Sequence, residues 1–88
     1  MFTKQIQTAI VTGCLNIMFE SAARLTTDPD SSSARIEYAE SAMRAAEFMK
    51  EFNIKQVEFV DSTGVRRFCP IEQIETNAVK IRKIIAKL

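Results

Sequence analysis

Ile71, Ile74, Ala78, Ile81, Ile85 and Leu88 recur at alternating spacings of three and four. On an α-helix that spacing puts all six on one face, whereas on a strand it would scatter them over both. The last third of the chain is therefore a helix with an apolar seam, and something must cover that seam. Lys80, Arg82, Lys83 and Lys87 sit in the same segment, and no acid follows Glu75. Acids early and bases late is the order that a helix dipole favours.

The rest of the chain shows what is available to pack there. Only two Gly and two Pro occur in 88 residues, which leaves little room for long loops or a many-stranded sheet. Residues 3–25 read as a helix. Thr8, Thr12, Asn16, Glu20 and Arg24 form one polar stripe, each four apart, and nearly every other position is apolar. A surface helix needs a narrower apolar stripe than this, so burial on more than one side is expected. Gly13 costs about 1 kcal/mol relative to Ala in mid-helix, either to admit a close neighbour or simply as a tolerated defect.

Thr26 to Ser33 is a clear loop, rich in Asp, Pro and Ser. A second helix starts near Ser32–Ala34 and runs to Phe52. Its inner face is small (Ala39, Ala42, Ala45, Ala46), and Glu40 and Arg44 on its outer face have ion-pair spacing. Asn53 can take the left-handed position that ends a helix, with Ile54 folding back onto Met49. Val57 and Phe59 then alternate with Gln56 and Glu58, as in a strand. Asp61-Ser62-Thr63-Gly64 is a turn, and Gly64 supplies its positive φ. Val65 to Phe68 returns antiparallel. Pro70 is expected to open the last helix and Cys69 to cap it.

The expected architecture is one α+β domain over residues 1–88. Two antiparallel N-terminal helices precede a β-hairpin and a C-terminal amphipathic helix, in the order α-α-β-β-α. The two flanking helices carry more apolar surface than the hairpin and an Ala-rich helix can cover. Self-association into a homo-oligomer is therefore expected.

Composition bounds the chemistry. There is no His, so neutral-pH acid–base work and most zinc sites lose their commonest residue. No catalytic residue, cofactor or metal site is expected. Cys14 and Cys69 are the only cysteines, too few for the dense pairing of small secreted domains. Reduced thiols and a cytoplasmic location are expected. The one candidate reactive group is Cys69, where a helix N-terminus and nearby Arg67 would lower the thiol pKa. No membrane partner is expected, because the longest uncharged run, 5–19, is too short to span and contains polar residues. Val11-Thr12-Gly13-Cys14 has the form of a lipoprotein cleavage box, but the apolar stretch before it is too short and is interrupted.

Charge is unevenly spread. Residues 1–64 carry six bases and nine acids, net −3, and residues 65–88 carry six bases and two acids, net +4. Internal complementarity accounts for such a split, and so does an anionic partner. The expectation is a small protein-binding module, of regulator or inhibitor type, whose contact lies on the last helix and the returning strand. Its candidate residues are Arg66, Arg67, Lys80, Arg82, Lys83 and Lys87, with Ile81, Ile84, Ile85 and the off-seam Val79 for apolar contact. Two alternatives use the same bases. One is nucleic-acid binding by the basic C-terminal third. The other is an anionic, nucleotide-like ligand held by arginines at an oligomer interface.

Overall fold

The computed structural model describes residues 3–86. Its elements are α1 (Lys4–Thr27), α2 (Ser32–Glu51), β1 (Gln56–Val60), β2 (Arg66–Pro70) and α3 (Ile71–Ala86), an α+β fold in the order α-α-β-β-α. β1 and β2 form one antiparallel hairpin.

Local chemistry sets the boundaries. The Thr3 hydroxyl accepts from the Ile6 N–H at 3.3 Å to start α1, and the Ser31 hydroxyl accepts from the Ala34 N–H at 3.2 Å to start α2. The end of α2 is a Schellman motif. Asn53 has φ +58°, the Ile54 N–H donates to Met49 O at 2.7 Å, and the Asn53 N–H donates to Lys50 O at 3.2 Å.

Helix α2 is central, with α1 and α3 packed against it. Its alanines Ala42, Ala45 and Ala46 keep the backbones close. Val11, Leu15 and Met18 of α1 meet them in one core, together with Met49, Val57, Cys69, Ile74 and Ala78. Arg24 of α1 bridges Glu37 of α2 at 2.8 Å, and Lys50 of α2 bridges Glu75 of α3 at 3.0 Å. Exposed pairs like these add little stability but fix relative orientation.

Four local expectations are corrected or narrowed. First, α1 is not buried on several sides: Ile6 and Ile17 are 46% and 43% exposed, while Thr8, Thr12 and Asn16 are half-buried. A stripe of residues spaced by four precesses about 40° per step on a 3.6-residue helix, so five such residues sweep about 160° and share no single face. Second, of the two readings of Gly13 the close neighbour fails and the tolerated defect holds, since the residue looks onto open space. Third, among the described residues Glu40 and Arg44 form no ion pair with each other, and the ion pairs of α2 run to other elements instead. Fourth, Pro70 closes β2, paired with Gln56, and Cys69 pairs with Val57 inside the sheet instead of capping α3.

Along the seam, Ile74 and Ala78 are buried and Ile71 is half-buried. The side chains of Ile81, Ile84 and Ile85, and all of Lys87 and Leu88, lie outside the described residues.

Candidate functional site

The hairpin register decides which side chains can meet a ligand. Val57 pairs with Cys69, Glu58 with Phe68, Phe59 with Arg67 and Val60 with Arg66. Directly opposed residues share a face and successive residues alternate. Val57, Phe59, Arg67 and Cys69 therefore face the helices, and Glu58, Val60, Arg66 and Phe68 face outward. Arg66 and Arg67, adjacent in sequence, point to opposite sides of the sheet.

Each arginine already has an acid. On the outer face, Arg66 Nη1 lies 3.0 Å from Glu58 Oε1, with both side chains well exposed. On the inner face, Arg67 Nε donates to Asp61 Oδ2 at 2.8 Å, and its guanidinium lies 4.4 Å from the centre of the Phe19 ring on α1. Phe19 also meets Phe59, with ring centres 6.2 Å apart.

Asp61 organises the hairpin loop. Its side chain is only 3% exposed. Oδ1 accepts from the Thr63 hydroxyl at 2.6 Å, the Thr63 N–H at 2.9 Å and the Val65 N–H at 3.0 Å. Gly64 supplies the left-handed step at φ +85°. The hydroxyl of Thr63 and then the guanidinium of Arg67 hold the Asp61 carboxyl well below the usual carboxylate range, aided by the backbone donors.

Cys69 is buried at 5% exposure. Burial pushes its thiol pKa up, and the charge of Arg67 offsets this only in part. The lowered pKa expected from sequence rested on a helix N-terminus that Cys69 does not occupy. A buried thiol with a raised pKa is a weaker nucleophile than an exposed one.

The bases of α3 also divide. One flank carries Gln73 and Asn77 and, two turns beyond Gln73, Lys80. Arg82 lies about 160° around the helix from Lys80 at 100° per residue. Arg82 and the 52%-exposed Val79 line a shallow groove against Met43 and Glu47 of α2. Lys80 and Lys83 are exposed. Ile84 and Lys87 belong to the parts not described. The structure thus spreads the candidate cations over several surfaces and brings no continuous basic patch together among the described residues.

What it does bring together lies along β2. Phe68 and Val60 are each 57% exposed and sit diagonally on the outer face, with 46%-exposed Val65 in the loop above. Beneath the same strand runs a groove of about 310 Å³ lined by Phe19, Tyr38, Arg67, Cys69, Gln73 and Asn77. Burial pushes the Tyr38 hydroxyl pKa up, and a hydrogen bond from Asn77 partly offsets that. Sequence reasoning missed Phe68, Val60 and Tyr38. The signal for the first two was the loop length, which sets strand register and hence which face each residue takes.

Among the described residues no cluster of His, Cys, Asp and Glu could hold a metal ion, and no helix is long and apolar enough to cross a membrane. No protein-family model, curated protein or solved structure matches the chain.

Proposed function

We propose that this protein is a small non-catalytic binding module, of regulator or inhibitor type, that docks a protein partner on its hairpin and the adjoining flank of α3. One observation carries the reading: a large aromatic, Phe68, is 57% exposed on the outer face of a strand that, among the described residues, is paired on one side only. Aromatic residues ringed by polar ones are the usual anchors of protein interfaces. Arg66 and Glu58 supply that polar rim.

The nucleic-acid alternative has less support. It needs free cations on one surface, and Arg66 and Arg67 face opposite ways with an acid each. The anion-at-an-interface alternative needs both arginines on one surface, and the register sends them to opposite faces of the sheet.

Affinity capture from source cells, quantified against Phe68→Asp, tests the reading. The variant keeps wild-type circular dichroism, because surface changes of this kind shift stability by only about 0.5 kcal/mol. It loses the specific partner by about tenfold or more. Equal recovery by both chains would remove the hairpin from the contact.

Self-association belongs to the same proposal. Ile6 and Ile17 stand exposed on α1 and Ile36 on α2, surface that a second copy would cover. Light scattering at micromolar concentration is expected to give a multiple of the 10.0 kDa chain mass. A clean monomer contradicts it.

A further inference from the structure

The unpaired edge of β2 and the groove below it point to a particular kind of occupant. The Asp61 N–H donates to Val65 O at 2.9 Å, and the Ile71 N–H donates to Lys55 O at 3.0 Å. These bonds bracket the ladder above and below. In an antiparallel pair bonded and non-bonded positions alternate, so Phe59–Arg67 and Val57–Cys69 are the bonded pairs. The N–H and C=O groups of Arg66 and Phe68 therefore point away from β1, where another strand could meet them. Pro70 lacks an N–H, which ends the ladder and keeps this edge too short for open-ended stacking of sheets.

The groove beside that edge is polar and cationic. Arg67 lines it together with Tyr38, Gln73 and Asn77, while Arg66 borders it from the strand with its side chain turned outward to Glu58, and among the described residues lining it there is no carboxylate. Arg67 commits Nε to Asp61. A guanidinium has five N–H donors in all, so others remain for a ligand. Lys80 stands exposed on the same flank of α3 as Gln73.

We infer that β2 receives an extended acidic segment of a partner protein as a third strand. Backbone bonds to Arg66 and Phe68 hold it, and one of its carboxylates enters the groove toward Arg67, Asn77 and Tyr38. Strand addition supplies affinity through main-chain bonds, and the pocket for an alternate side chain supplies selectivity. The inference rests on the hairpin being the contact surface and adds the conformation and charge of what binds it.

The test is selection of a phage-displayed library of random decapeptides on the full chain, followed by amide NMR titration with the winners. Selected peptides are expected to carry Asp or Glu at a fixed place in an alternating apolar pattern. They should shift the Arg66 and Phe68 amides, and methylating their alternate backbone nitrogens should abolish binding. Gln73 is exposed, so Gln73→Glu and Gln73→Lys leave the fold intact. They should weaken and strengthen binding respectively, by about threefold to tenfold. Peptides with helical periodicity, basic peptides, acidic peptides indifferent to Gln73, or a selection with no winner would each overturn the inference. If partner capture still depends on Phe68 in those cases, the hairpin surface stands and only the strand-addition mode fails.

Discussion

Leu15→Ala is expected to lower stability by about 3–4 kcal/mol. Leu15 is fully buried in the middle of α1, among the largest enclosed side chains of the core. The α2 residues buried in the same core are Ala42, Ala45, Ala46 and Met49, and the alanines have no length with which to refill the space. Both the lost transfer energy and the cavity left behind therefore count in full. Small domains carry only about 5–15 kcal/mol in total, so the variant sits near the threshold of folding. Thermal unfolding followed by circular dichroism should show a midpoint lower by roughly 12–32 °C. A fall of only a few degrees would mean that the helices collapse around the gap, and the close alanine packing of α2 would need revision.

Asp61→Asn is expected to loosen the hairpin loop while leaving the three helices folded. The carboxylate joins the loop to Arg67, which in turn lies on Phe19 of α1. An amide keeps one acceptor but turns donor hydrogens toward Arg67 and removes the charge. Hydrogen exchange should speed up at the Thr63 and Val65 amides, with α1 and α2 unchanged. The same group sets an acid limit. Its folded-state pKa lies below the unfolded value of about 3.9, so the folded chain binds fewer protons than the unfolded one. That contribution is fully present above about pH 4 and is lost as pH falls below it toward the folded-state value. Denaturant titrations at neutral pH and near pH 3 should show the wild type losing more stability than Asp61→Asn. Equal losses would assign acid sensitivity to the exposed carboxylates instead.

The fold was largely written in local signals. The helical spacing from Ile71, the alanines of α2, the stop at Asn53 and the positive φ at Gly64 each follow from short-range chemistry, and each is found among the described residues, with α3 running over Ile71–Ala86. What misled lay one step beyond local pattern. The polar residues of α1 are regular in sequence, but their four-residue period drifts around the helix, so α1 offers Ile6 and Ile17 to solvent.

The candidate site was less legible for a similar reason. A four-residue turn followed by a strand from Val65 would pair Val57 with Phe68 and send Phe68 inward. In the structure Val65 belongs to the loop, its N–H held by Asp61, and Val57 pairs with Cys69. That single-residue difference exchanges the two faces of β2. It buries Cys69, turns Arg67 inward and exposes Phe68. Composition alone weighs Arg66 and Arg67 equally, and only register separates them.

Hydrogen exchange of the full chain with and without its captured partner tests the central claim most directly. Slowed exchange at the Arg66 and Phe68 amides, the two whose N–H groups face away from β1, is the predicted result. Protection confined to α1 or α3, with those two amides unchanged, would contradict it.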